Sequence, residues 1–334
     1  MSYTRPTLVD PLTSLRVRHT RVEKLITDLS TSLDPEGPIL AVIGPSGVGK
    51  SVLGHFLVED AIMEHAQEMA EDPGFLPAIR VEAPNSGEAE FSWRMFYTRI
   101  LEALGDNMDM PRQAYGVDYV TGRLIRPAHN GNHTLSGLRM AVERALIARK
   151  VLFVVIDEAA QITRHRKGDR LIAQIDTLKS LSNSCGVQLV LLGSYDLYDL
   201  VSLSAQIARR IQVMHFQRYQ QGIAEDELAF DGSLKSFQAT HPELWGESLL
   251  DHAEALHENT IGCVGTLNSV LVRGVRISKA RDGWSKEVLN EALLTEAQTT
   301  QILNETLEGE KLIVPGITRT LSSQAKPSKA KAAG

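Results

Sequence analysis

Four short apolar runs punctuate the first two-thirds of the chain. Ile39–Ile43 lies between Pro38 and Gly44, Ala78–Val81 follows Pro77, and Val151–Ile156 and Val187–Leu192 come later. Val151–Ile156 is continuous and β-branched, with no alternation of apolar and polar positions, and reads as a strand buried on both faces. Between these runs apolar residues recur at helical spacing. Trp93, Phe96, Ile100 and Leu104 mark a helix over Ser92–Leu104, and Val52–Glu71, Leu135–Arg149 and Arg170–Ser184 read as others. Strands alternating with helices predict an α/β fold, a parallel sheet flanked by helices. Beyond residue 220 the pattern holds helices only: Leu249–His257, Leu267–Val275 and a longer Lys286–Leu307. The expected organisation is an N-terminal lead with a helix over 1–35 and an α/β core over 36–220. A small all-helical domain over 221–315 follows, then a flexible basic tail over 316–334 with Lys326, Lys329 and Lys331.

Composition narrows the class. With 43% hydrophobic residues in 334, the chain has enough apolar material for a core, which excludes a disordered protein. Cys185 and Cys263 are too few for a disulfide framework or a CxxC metal site. No apolar stretch reaches the length of about 18 residues that a membrane span needs, so a cytoplasmic protein is expected. The net charge of −6 is unevenly spread. Residues 222–260 hold nine acids and one lysine, whereas 112–149 hold six arginines against two acids. The contrast suggests a boundary near residue 220.

The chemistry is concentrated at strand ends. Gly44-Pro45-Ser46-Gly47-Val48-Gly49-Lys50-Ser51 matches G-x-x-x-x-G-K-[ST] between a strand and a helix. Its glycines allow backbone N–H groups to form an anion nest at a helix N-terminus. Lys50 is expected to reach the β- and γ-phosphates of ATP, and the Ser51 hydroxyl to ligate Mg²⁺. The run Val151–Ile156 ends in Asp157-Glu158, and two carboxylates closing a buried strand are costly unless they face a ligand. Asp157 is expected to hold Mg²⁺ through water, and Glu158 to orient and deprotonate the attacking water. Ser194, after the run Val187–Leu192, is the candidate γ-phosphate sensor, a cap for the next helix being the alternative. Arg209 and Arg210, flanked by Ile207 and Ile211, cannot both be buried, and one is expected to act in trans on the phosphoryl group of a neighbouring subunit, a solvated helix end or a contact to DNA phosphate being the alternative.

In this order the motifs resemble an AAA+ ATPase, a P-loop NTPase with a helical lid. Within that superfamily the chain is similar to the transposition regulators of the TniB/TnsC group, relatives of MuB and IstB. The finer match is carried by Arg18-His19, Gly44–Ser51, Val154–Glu158, Gln206–Arg210 and Ile261–Leu267. The resemblance implies ATP-dependent rings or filaments on duplex DNA, recruiting a transposase with a target-selection protein. In many AAA+ proteins the lid helix carries a sensor arginine, but here Gly262–Thr266 has none before Arg273. DNA-facing loops are expected at Arg112–His133, with Arg112, Arg123, Arg126 and His129, and at Arg164, Arg166 and Lys167. Binding is expected to be largely sequence-independent. A helicase loader or replication initiator, a STAND-type signalling ATPase and a small-molecule kinase are the alternatives.

Overall fold

The computed structural model describes residues 15–85, 87, 91–105, 116–117, 124–125, 134–163, 169–198, 208–240, 242–245, 248–281 and 283–313. After α1 (Thr20–Ser32) the core opens with β1 (Ile39–Ile43), α2 (Lys50–Glu64), α3 (Ala66–Glu71), β2 (Ala78–Glu82) and α4 (Trp93–Ala103). A two-residue antiparallel pairing, β3 (Gly116–Val117) with β4 (Leu124–Ile125), lies within the first candidate DNA loop. Then come α5 (Leu135–Ala148), β5 (Phe153–Asp157), α6 (Ala160–Thr163), α7 (Asp169–Cys185), β6 (Gln188–Gly193) and β7 (Ile211–His215).

Five strands form one sheet in the order β2-β5-β6-β1-β7, every pairing parallel. The unbroken apolar runs follow from this architecture. On β1, Ile39, Ala41 and Ile43 pack with α4, α5 and α7 on one face, while Leu40 and Val42 pack with α1 and α2 on the other. Val154 and Ile156 of β5 likewise oppose Phe153 and Val155. A strand wet on neither face has no position for a polar residue until it ends.

Beyond the sheet are α8 (Ala224–Thr240), α9 (Ala253–Thr260), α10 (Val264–Ala280), α11 (Lys286–Ala292) and α12 (Glu296–Ile313). A separate apolar cluster built on Phe230, Phe237, Trp245, Leu267 and Val275 forms a lid core. Among the described residues no helix is long and apolar enough to cross a membrane.

Several elements differ from expectation. The helix expected over Val52–Glu71 breaks at His65, which closes α2 and opens α3. The long helix expected over Lys286–Leu307 is two helices. The side chain of Asn259 accepts from the Leu294 N–H at 2.9 Å and donates to its carbonyl at 3.0 Å, so neither group can join a helical ladder. A new helix then starts with a reciprocal capping box: Thr295 N–H donates to Gln298 Oε1 at 3.0 Å, and Gln298 N–H to Thr295 Oγ1 at 3.4 Å. The strand β7 was not expected. It lies at the sheet edge with only Ile211 buried, so it lacks the apolar run that marks the inner strands.

Candidate functional site

The strands β1, β5 and β6 end at the same edge of the sheet, where Ile43 stands opposite Gly193 and Ile156 opposite Leu191. From β1 the chain turns through Gly44–Gly49 into α2. Gly47 (φ +76°) and Gly49 (φ +116°) adopt left-handed backbone that an L side chain would strain. Gly49 is also the N-cap of α2, and no side chain caps that first turn. Its N–H donors thus have no side-chain acceptor of their own, which suits an incoming anion. Lys50 Nζ donates to the carbonyls of Gly44 at 2.9 Å and Pro45 at 2.8 Å, so the ammonium folds back along the loop. Burial pushes its pKa down, and the negative charge of Glu158 is the largest influence against that shift. Ser46 and Gly47 of the loop and Ser51 on α2 are exposed, while Pro45 and Val48 are buried.

Asp157 is 2% exposed at the end of β5. One carboxylate oxygen accepts the Glu158 N–H at 2.9 Å, and the other accepts Nη2 of Arg80 at 2.5 Å. Glu158 is exposed and has φ +52°, a conformation that costs a non-glycine residue on the order of 1 kcal/mol or more. The turn is held by the Ala159 N–H to the Leu192 carbonyl at 2.9 Å and the Gln161 N–H to the Glu158 carbonyl at 2.9 Å. Strain fixed this firmly turns the Glu158 side chain away from the core, towards solvent at the strand ends. β6 lies between β1 and β5, so Ser194 stands between the phosphate-type loop and the carboxylate pair, its hydroxyl donating to Asp196 at 3.3 Å.

These residues fit a nucleotide triphosphate with Mg²⁺: an anion nest, a lysine, and a hydroxyl and carboxylate as metal donors. Among the described residues no group of three His, Cys, Asp or Glu is placed to hold a metal. Mg²⁺ bound through Ser51, Asp157 and phosphate oxygens needs no such cage.

The family described as AAA domain matches residues 35–201, half of the chain and the whole of the loop, carboxylate and sensor region. The chain belongs to the AAA domain family. Among solved structures it is similar to the ORC2 protein of Aeropyrum pernix (ADPNP–ADP complexes), at TM-score 0.55 and 16% identity, covering 86% of this chain and 70% of that one. It is also similar to the Walker-type ATPase PABY2304 of Pyrococcus abyssi, at TM-score 0.49 and 13% identity, over 90% of this chain and 75% of that one. The Cdc6p structure from Pyrobaculum aerophilum aligns at TM-score 0.44 and 14% identity, over 84% and 66% of the two chains. At these identities the likeness is one of fold. No curated protein matches the chain.

The structure separates the two arginines that precede β7. Arg210 is paired with Asp176 of α7, and its carbonyl accepts the Ile39 N–H at 2.7 Å. Arg209 beside it is exposed. Arg112, Arg123, Arg126, His129, Arg164, Arg166 and Lys167, like Gln206 and Ile207, lie outside the described residues. Arg18 and His19 have neighbours in the core. The Arg18 guanidinium lies 4.4 Å over the Phe56 ring and pairs with Asp60. His19 is buried with Nδ1 2.8 Å from the Tyr219 hydroxyl, and burial pushes its pKa down to about 4. This pair therefore ties α1 to α2 and to the segment that leads into the lid.

Four further features were missed from sequence. The Thr266 N–H, in the first turn of α10, donates to the Gly47 carbonyl at 2.9 Å, so the lid rests directly on the loop. Cys263, the N-cap of α10, is buried, and burial pushes its thiol up to about 12. The helix α12 returns from the lid to the core. Arg218 grips Glu310 through Nε at 2.9 Å and Nη2 at 3.4 Å, and Tyr195, next to Ser194, bonds His215 at 3.1 Å. Between α12 and the loop lies a cavity of about 230 Å³ lined by Pro45, Ser46, Ser194, Tyr195 and Glu305. Gly309 lies flush on the Tyr195 ring, where any Cβ would overlap it. Gly309→Val is therefore expected to lift α12 off the core at a cost of about 1–3 kcal/mol, lowering the melting temperature and exposing the amides of 296–313 to hydrogen exchange. Unchanged protection there would contradict this packing. The fourth missed feature is Arg80, whose sequence signal was the one charge inside the apolar run Ala78–Val81.

Proposed function

We propose that this AAA domain protein is a Mg²⁺-dependent ATPase that assembles on duplex DNA and regulates transposition. The observation that carries the hydrolytic part is the placement of Lys50, Asp157 and the strained Glu158 at strand ends on one edge of the sheet, with only β6 between them. In this reading the loop amides and Lys50 hold the phosphates, and Ser51 and Asp157 hold the cation. Mg²⁺ supplies charge neutralisation at the phosphates when bound. Glu158, exposed beside Lys50, takes the proton of the attacking water. Ser194 contacts the terminal phosphate from between the two strands. Arg209, exposed where Arg210 is paired, reaches the site of a neighbouring copy and offsets the charge that builds up on the transferring group.

The transposition role is supported by the sequence pattern of Arg18-His19, Gln206–Arg210 and Ile261–Leu267. The partners it calls for are a transposase, a target-selection protein and duplex DNA gripped through backbone phosphates. A replication initiator is the second reading, favoured by the fold likeness to the ORC2 protein. Light scattering with ATP and random-sequence duplex tests the assembly. A rise that needs both ligands, with nuclease protection spread along the duplex, supports the transposition reading. Protection confined to discrete sites favours an initiator, and a chain that stays monomeric with both ligands refutes the assembly. Arg209→Ala is expected to bind ATP normally and lose about 10³-fold in turnover at every protein concentration, with Arg210→Ala falling less.

A further inference from the structure

Arg80 has a placement that neither packing nor the loop motif requires. It stands in β2 with its Cα opposite Val155, two residues before Asp157 on the neighbouring strand. Its stem passes between the sheet and α2, and α2 carries Gly54 at the crossing. A Cβ at Gly54 would meet Leu192 Cδ1 at 2.8 Å and Val155 Cγ1 at 3.2 Å, and would sit in ordinary contact with Arg80 Cδ at 3.4 Å, so α2 lies close on the sheet where the stem passes. The guanidinium then reaches Asp157 Oδ2 at 2.5 Å, while Arg80 Nε is buried with no hydrogen-bond partner. An ion pair serving stability alone would be expected to satisfy its buried donors, and desolvating a carboxylate as buried as Asp157 offsets much of what the pair gains. What distinguishes this one is its partner, the carboxylate placed to reach the cation.

We propose that Arg80 is a positioning residue that sets the affinity of the site for its divalent cation. It fixes Asp157 by one oxygen and offsets its charge. The site then takes up Mg²⁺ together with nucleotide phosphates and resists taking it up alone. The inference rests on the ATPase reading and adds to it a residue that controls metal loading. Because the opposing charge acts through Asp157, removing it strengthens metal binding, whereas a purely structural arginine would weaken binding when lost.

The test is the free Mg²⁺ concentration that half-saturates binding of the fluorescent analogue mant-ATP, which needs no turnover. Arg80→Met is expected to lower that concentration about fivefold, the scale of one unit charge near a partly solvated metal site. Arg80→Gln, which keeps an N–H donor for Asp157 without the charge, is expected to lower it similarly and serves if the methionine variant does not fold. Arg80→Lys is expected to stay within about twofold of wild type, since it keeps the charge. In an Asp157→Asn background Arg80→Met carries no uncompensated buried charge, and there it is expected to produce no further shift. An unchanged or higher Mg²⁺ requirement in the charge-removed variants, or the same shift in the Asp157→Asn background, overturns the proposal. A wild-type chain that binds no mant-ATP overturns the ATPase reading itself, and this inference with it.

Discussion

Lys50→Ala is expected to abolish measurable nucleotide binding, weakening affinity for mant-ADP by at least about 10²-fold, the worth of one charge-assisted phosphate contact. The reason lies in how the loop is built. Gly47 and Gly49 give the backbone its left-handed turns, but the donors they expose are neutral, and Lys50 supplies the fixed positive charge. In the structure its ammonium satisfies itself on the Gly44 and Pro45 carbonyls, both of which lie on the loop itself. Alanine removes those two bonds without burying a new polar group, so the fold should survive with a loss on the order of 1 kcal/mol. A circular dichroism melt near wild type, beside lost mant-ADP fluorescence, is the expected pair of results. Wild-type affinity in the variant would mean that the loop does not hold phosphate.

Glu158→Gln is expected to leave nucleotide affinity within about twofold of wild type while slowing the chemical step by about 10²–10⁴-fold, the usual contribution of a positioned base. Glutamine can adopt the same φ +52° turn, and the bonds that pin it run from Ala159 and Gln161 and do not use the side chain. The substitution thus isolates the carboxylate. In the proposed assembly a bound ATP that is not hydrolysed holds the oligomer together, so the expected consequence for assembly is large. Complexes formed on duplex DNA by this variant should persist after dilution for far longer than wild-type complexes. Equal lifetimes for the two would separate assembly from hydrolysis and contradict a switch of this kind.

The core of the site could be read from sequence because its information is local. Eight consecutive residues specify the loop, and the carboxylate pair follows directly on the strongest apolar run, so spacing alone places both at strand ends. The helix over Trp93–Ala103 was legible for the same reason, with Phe96, Ile100 and Leu104 buried as their periodicity implied, whereas the helix over Ala224–Thr240 was not expected. What stayed hidden depends on partners distant in sequence. Arg80 meets Asp157 across 77 residues, and a single charge in a short strand does not announce its partner. The helix α12 buries Thr306 and Gly309 and no continuous apolar stripe, so its return to the core left no periodic trace. β7 is half-exposed at the sheet edge, where the apolar signal that marks inner strands is diluted. The break before α12 rests on the Asn259 contact with Leu294, a partner 35 residues away. Charge was a fair map in one respect. Of the acidic window 222–260, the segment over 224–240 is a lid helix whose first turn holds Glu225, Asp226 and Glu227, where a helix dipole favours acids.

The most direct test of the account is steady-state phosphate release by the purified full chain with ATP and Mg²⁺, run beside Glu158→Gln at saturating nucleotide. The geometry of Lys50, Asp157 and Glu158 predicts turnover by the wild type and near-background release by the variant, with both binding nucleotide equally. A wild type that binds ATP yet releases no phosphate with Mg²⁺ and duplex DNA present, or a variant that turns over at the wild-type rate, would contradict it.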